Sequence, residues 1–526
     1  MSSTTQPAPP AVAAPAMSHR EILEALSGLL LGMFVTILAS TVVSNALPRI
    51  ISDLHAGESA YTWVVTATLL ALTVTTPIWG KLADLTSKKM LIQIALTIFV
   101  LGSALAGLSQ NAGMLITFRV VQGVGAGGLT ALVQVILAAM ISPRERGRYM
   151  GYLGAVFAVG TVLGPLVGGV IVDTSWLGWR WCFYVGIPFA AVALVLLQRT
   201  LHLPVVKRQV TIDYLGATLV AAAVSLLLIW VSLAGHQFGW NSLASYVMVP
   251  GAILLGLLFL VVEQRAAEPI IPLRLFRDRT VTLSTVASLF VGIGLFGGTV
   301  FLAQYFQISR GHSPTASGLM SLPLVLGLLG ASTIVGQLIS RSGVWKRYLV
   351  TGGVLISVGF GLMGSMRTDT PYWLLAFYML LLGSGLGMMM QNLVLATQNV
   401  VATRDLGAAS STVAFFRSLG GAVGVSALGA LLAHRVASYT ADGLAAVGVV
   451  PAGGGAGAEL PNPATLPEPV RQVVQDAFGH GIGDVFLFAT PFAVLAFVAV
   501  LFVKETVLQT KSAIERDAET AVPTTV

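Results

Sequence analysis

The chain has 526 residues, 55% of them hydrophobic and only 10% charged, with a net charge of +7. Soluble domains carry roughly 25% charged residues, so this chain cannot clothe a globular surface in water and must present most of itself to lipid. One cysteine, Cys182, excludes an intramolecular disulfide and a cysteine metal cluster.

Residues 1–20 are rich in Ala and Pro and lack a basic start followed by an apolar core, so they read as a disordered cytoplasmic tail and not a signal peptide. A spanning helix needs about 20 mostly apolar residues. Fourteen such stretches follow, at 22–48, 60–82, 89–108, 112–140, 147–172, 181–198, 212–234, 243–262, 280–306, 316–340, 347–366, 373–398, 406–434 and 482–503. The expected fold is an all-α integral membrane protein with fourteen transmembrane helices.

With the N-terminus inside, 21 of the 29 Lys and Arg fall on the cytoplasmic side and 6 on the outer side. The excess fixes both termini in the cytoplasm. It also accounts for the net charge, which removes the motive for a nucleic-acid partner. The remaining two, Arg119 and Arg417, lie within spans.

Two basic connections, 199–211 and 263–279, flank an isolated pair of spans. GKLADLTSKK (80–89) and GQLISRSGVWKR (336–347) both place Gly-x-Leu at a cytoplasmic helix end before a basic hairpin. The expected organisation is therefore two six-helix pseudo-repeats, 21–198 and 280–503, with basic linkers and a two-helix insert at 199–279 and a cytoplasmic tail at 504–526. A long outer loop, 435–481, is rich in Gly, Ala and Pro, and EPVRQVVQDAFG (468–479) reads as one short amphipathic helix within it.

Intramembrane charges are costly and usually face a partner or a cavity. All 22 acids and all seven histidines lie in tails, loops or span ends. Arg119 is thus expected to bond neutral groups: Ser40, Thr41, Ser44 and Asn45 on the first span, or backbone carbonyls. A structural role and contact with an anionic or carbonyl-bearing substrate stand as alternatives. Arg417 reads as a structural intramembrane charge that anchors its helix. In the fifth span, Gly160, Gly164 and Gly168 share one helix face, with Gly169 beside them and Pro165 removing a backbone donor. Such a face suits either two halves rocking against each other or plain tight packing.

Four stretches carry a resemblance. GKLADLTSKK, RVVQGVGAGG (119–128), GTVLGPLVGG (160–169) and LASTVVSNALP (38–48) resemble motifs of the major facilitator superfamily, and together those of its fourteen-span drug:proton antiporters. The resemblance implies a secondary active exporter of hydrophobic or amphipathic compounds, such as drugs and antibiotics, working by alternating access with proton antiport. A lipid exporter or flippase of the same fold, or a facilitator or importer without proton coupling, are the alternatives. It implies no enzyme activity and no cofactor or metal, a monomer in the cytoplasmic membrane, and small-molecule substrate, protons and lipids as partners. No GxxxxGK[ST] stretch is present to hydrolyse ATP.

The resemblance also assigns residues. Gly80, Asp84 and Lys88, with Asp405 on the same side, are expected to latch the halves on the inner side, and Gly164, Pro165, Gly168 and Gly169 to shape the moving face. The first and fourth spans of each half would line the cavity, through Asn45, Arg119, Gln122, Gln134, Gln304, Met389, Gln391 and Asn392. Two departures stand out: Ser87 where the family usually has Gly, and Ala39 where many members carry an aspartate. With that acid missing, Asp53, Asp84 and Asp173 are the candidates for proton coupling.

Overall fold

Short polar caps between long apolar runs set the helix boundaries. Ser18, Ser87, Asn111, Ser142, Asp213, Ser242, Asp278 and Ser313 each accept a backbone N–H from the first turn of the helix that follows. Ser18 also completes a capping box with Glu21. The computed structural model describes residues 18–55, 58–174, 176–203, 213–235, 237–446 and 467–521.

The helices are α1 His19–Asp53, α2 Glu58–Leu85, α3 Lys88–Gly107, α4 Ala112–Met140 and α5 Pro143–Asp173. There follow α6 Trp181–Thr200, interrupted after Tyr184, then α7 Tyr214–Leu233 and α8 Leu243–Arg265. Next come α9 Arg279–Ser309, α10 in two segments (Pro314–Met320 and Leu322–Ser342), α11 Lys346–Met363 and α12 Tyr372–Val400. The last are α13 Leu406–Ala446, α14 Glu468–Leu501 and a short α15 Ala513–Ala521.

Among the described residues, 13 helices are long and apolar enough to cross a membrane. The expected span at 347–366 is α11, which stands outside that set: it has only 18 residues and spends its first two on Lys346 and Arg347.

Helices α1 to α6 pack on one another, through α2 and α3 on α4 and through α5 and α6 on α1. Helices α9 to α14 form a second group, through α9 on α13, α12 on α10 and α11, and α14 on α11 and α13. The groups meet along two seams, α5 with α10 and α2 with α13. The pair α7–α8 stands apart, and α7 touches both α2 and α13, covering the second seam.

The expected outer loop 435–481 needs correction. Helix α13 continues to Ala446, and 468–479 forms the first turns of α14, not a separate helix. Both extensions bury an apolar face, with Val436, Val474, Ala477 and Phe478 in the core of the second group. Polar contacts tie them down: Tyr439 donates its hydroxyl proton to Asp484 (2.8 Å), and Ser309 donates to the Gln475 carbonyl (2.9 Å). The Gly- and Pro-rich stretch 447–466 lies outside the described residues.

Candidate substrate path and latch

The end of the bundle that holds the Lys- and Arg-rich connections is called the basic end below. There the two groups are joined by a carboxylate on a helix N-terminus. Asp84, on the last turn of α2, accepts the N–H of Gly407 at 2.6 Å and of Ala408 at 2.8 Å. An N-terminal turn leaves such donors free and carries positive partial charge, so an anion is favoured there. Gly80, one turn earlier, has no room for a side chain: a Cβ would lie 2.0 Å from Ser411 Oγ and 2.6 Å from the Gly407 carbonyl.

The second copy of the Gly-x-Leu motif does the reciprocal job. Gly336 of α10 abuts Gly147 of α5, and a Cβ on either would sit 2.1–2.2 Å from the other's carbonyl oxygen. Each motif therefore docks its glycine on the opposite group. Lys88 opens α3 and adds attractive charge at Asp84. Ser87 caps α3 from an ordinary extended conformation (φ −65°), so the turn needs no glycine there. Asp405 lies beside the latch without meeting Asp84, and pairs instead with Arg274 (2.7 Å) and Arg404 (3.7 Å).

A polar network bridges the groups deeper in the bundle. Gln134 of α4 donates to Gln391 of α12 at 3.0 Å. Gln398, two turns along α12, donates to Ser410 (2.7 Å) and more weakly to the Gln134 carbonyl (3.4 Å). The Arg146 guanidinium, 1% exposed, donates to Gln398 and to the carbonyls of Ile141 (2.8 Å) and Ala138 (3.2 Å). Arg146 was invisible to sequence reasoning, which counted it as one more cytoplasmic charge. Its cap-proximal position after Ser142 was the available signal.

Above this network, Met33, Leu153, Phe157, Ser332, Met390 and Gln391 border a void of about 10 Å³ between the groups, room for about one water. The cavity residues named from sequence divide around it. Gln391 lines it, and Gln134 bonds Gln391. Met389 does not: it packs fully buried against Gly352 of α11, one helical step of about 100° from Met390. Asn392 is buried and donates to the Met388 carbonyl of its own helix (2.7 Å). Gln304 is half-buried near the far end of α9. The Asn45, Pro165 and Asp173 side chains lie outside the described set.

Arg119 bonds neutral groups, one of them a backbone carbonyl, and among the described residues these are not the first-span hydroxyls: Nη1 donates to Gln122 Oε1 (2.5 Å) and Nε to the Val64 carbonyl of α2 (3.4 Å). Gln122 passes the chain on to Ser103 of α3 (2.6 Å). Arg119 and Gln122 are 4% and 1% exposed, enclosed by α2, α3 and α4. The first-span hydroxyls are used otherwise: Thr41 donates to carbonyls of its own helix and of Gly160, and Ser44 to Ser40. Arg417 donates to the Met390 carbonyl at 3.5 Å, tying α13 to α12. Asp53 pairs with Arg49 (3.3 Å) on the exposed end of α1.

Gly160 and Gly164 of the fifth span face inward to their own group. A Cβ on Gly164 would lie 1.9 Å from Thr41 Oγ1, and one on Gly160 2.8 Å from Ile37. Gly169 approaches Thr315 no closer than ordinary contact, and Gly168 is buried. The seam with α10 is built about two to four turns before Gly160, where Gly147, Gly151 and Gly154 meet Gly336, Thr333 and Ser332.

A many-spanned helical bundle in two groups, closed at one end by reciprocal glycine contacts, is the plan of a membrane transporter. Residues 29–425 match the profile of the Major Facilitator Superfamily, and the chain belongs to that family. It is 36% identical over 483 residues to an uncharacterised MFS-type transporter of Mycobacterium tuberculosis, covering 91% of this chain and 69% of that one. It is 34% identical to the multidrug transporter protein MdtP of Bacillus subtilis (81% and 78% covered) and 30% identical to multidrug resistance protein 3 of the same organism (92% and 97%). Among solved structures, the proton:xylose symporter XylE aligns over 96% of this chain and 100% of its own with a TM-score of 0.61 at 15% identity, a likeness of fold.

Proposed function

We propose that the protein exports hydrophobic or amphipathic small molecules across the cytoplasmic membrane by alternating access, in exchange for protons. The observation that carries this reading is the closure of the basic end. The Asp84 latch, the Gly147–Gly336 contact and the Gln134–Gln391–Gln398–Arg146 network all hold the two groups together on one side. Toward the other end, α1 leaves Ser40 and Ser44 exposed, as the wall of a wet cleft would. The Lys and Arg excess supports a cytoplasmic location for the closed end and both termini, and in this reading the conformation faces outward.

In this reading 21–198 and 280–503 are the moving halves and 199–279 is an insert. The path between them runs over Gln391, Met390, Phe157 and Met33, an apolar, methionine-rich wall with few fixed polar groups that suits varied substrates. The names of the Bacillus relatives support a drug-like substrate class. Asp53, Asp84 and Asp173 remain the carboxylates to test for proton coupling, with the protein acting as a monomer.

The test uses purified protein in liposomes holding a pH-sensitive dye. A pH gradient is imposed and a panel of hydrophobic antibiotics is added, with D53N, D84N and D173N in parallel. Substrate-dependent proton flux is expected, lost in the variant that removes the coupling acid. Substrate movement without proton flux would make the protein a facilitator.

A further inference from the structure

The insert carries a pair of carboxyl groups that the transport path does not use. Asp213 caps α7 and Glu263 lies near the end of α8, both at the basic end. Each spends one oxygen on a backbone N–H: Asp213 Oδ1 accepts from Gly216 (2.8 Å) and Glu263 Oε1 from Ile271. The other two oxygens, Asp213 Oδ2 and Glu263 Oε2, are buried and have no partner among the described residues. Glu263 as a whole is only 3% exposed.

These two oxygens converge on Gly216. They lie 2.2 Å and 2.8 Å from the place a Cβ would take on Gly216, and so no more than about 5 Å apart. Gly216 is what makes the approach possible. Two ionised carboxylates in such a place repel, and burial penalises both charges. One proton resolves this: the protonated oxygen becomes a donor and the facing oxygen accepts.

The surroundings link the pair to the latch. Among the described residues, the charged group that acts on Glu263 besides Asp213 is Lys81 of α2, which pairs with Glu268 at 2.6 Å and whose side chain is 5% exposed. Lys81 sits between Gly80 and Asp84, on the turn of α2 that docks on α13. The insert also covers that seam: Leu219, Val220 and Val224 of α7 pack with Val74 of α2 and Phe415 and Ala422 of α13.

We propose that Asp213 and Glu263 form a one-proton binding site in the insert, coupled through Lys81 to the latch between the two helix groups. With the pair singly protonated, Lys81 is shared between Glu268 and one remaining negative charge. Loss of that proton adds a second negative charge beside Lys81, draws the ammonium toward the insert and strains the α2 turn that holds Gly80 and Asp84. The orientation proposed above makes this a sensor of cytoplasmic pH, separate from the proton carried in exchange for substrate.

The experiment counts protons on the full-length protein in nanodiscs. An indicator dye reads uptake on a jump from about pH 8 to about pH 5 for the wild type, D213N, E263Q and the double variant. All three variants should take up one proton fewer than the wild type, the double no fewer than the singles. An unchanged count would overturn the site, and so would a loss of two in the double variant, which means independent carboxyls. The carboxamides keep the acceptors for Gly216 and Ile271, and either single variant suffices if the other fails to fold. In the same samples, spin labels at M90C and S342C with C182S read the separation of the groups at the basic end. The wild-type distance distribution should shift with pH and the variants' should not. A shift that persists in variants lacking the proton would overturn the coupling. Neither readout requires transport, so the result stands whatever the substrate proves to be.

Discussion

Asp84 and Gly407 are 323 residues apart in the chain and 2.6 Å apart in space, a carboxylate oxygen accepting a backbone N–H. In the alternating-access reading proposed above, the contact belongs to the closed basic end and stabilises that conformation over the open one. An Asn in its place keeps an acceptor but loses the charge that the helix N-terminus favours, a difference of about 1–2 kcal/mol. D84N should therefore shift the population toward an open basic end by about tenfold. Spin-label distances between M90C and S342C would report this, and an unshifted distribution would exclude Asp84 as the latch.

Gly336 and Gly147 make a stricter test of the same closure. A single methyl on either meets a backbone carbonyl at 2.1–2.2 Å, which no rotamer change can relieve. G336A and G147A should each separate α5 from α10 at the basic end and reduce export by at least tenfold, with helix content and expression retained. G164A, by contrast, collides with Thr41 inside the first group, so its loss of activity should come with a lower melting temperature. Transport assays paired with thermal unfolding separate the two behaviours.

Much of this plan was legible in the sequence, because lipid demands long apolar runs and tolerates few charges between them. The helix positions followed from that pattern, whereas Gly80 and Asp84 as parts of a latch followed from the family resemblance, and the Gly147–Gly336 contact did not follow from either. The faces did not. Met389 and Met390 are equally apolar, and only the position of α11 decides that the first is core and the second borders the void between the groups. Gly164 and Gly147 are both small residues on α5, and only the tertiary arrangement decides which meets the other group. In water a helix advertises its buried stripe by polarity, whereas in lipid both faces are apolar and that signal fades. For Arg119 the expected backbone carbonyl is that of Val64, while the α1 hydroxyls at equal depth give way to an i, i+3 neighbour, Gln122.

Arg146 and Gln398 tie three helices of opposite groups together in a site where both are only 1% exposed. The guanidinium satisfies two carbonyls at the α4–α5 corner, while its bond to Gln398 crosses the seam. Q398A should thus weaken closure and leave the corner intact, accelerating opening of the basic end by about tenfold for the loss of one charge-assisted bond. R146A removes the corner as well and should lower the melting temperature in addition. Equal melting temperatures for the two variants would show that the corner carbonyls do not depend on Arg146.

Arg119 is the residue whose role the structure narrows most. Its guanidinium binds Gln122 and the Val64 carbonyl, and Gln122 binds Ser103, so one charge fastens α4 to both α2 and α3. It is enclosed within the first group and away from the void bordered by Gln391 and Met390. Truncation leaves Gln122 Oε1 without its donor and costs about 3 kcal/mol. R119A should lower the melting temperature and reduce export of every substrate by a similar factor, because the scaffold loosens and the path is untouched. A substrate contact would behave otherwise: KM would rise for anionic or carbonyl-bearing compounds alone, with stability little changed. Measuring KM for one anionic and one neutral substrate, beside the melting temperature of R119A and Q122A, decides between the two. Q122A should reproduce the R119A phenotype in milder form, since it breaks the same chain at its middle link.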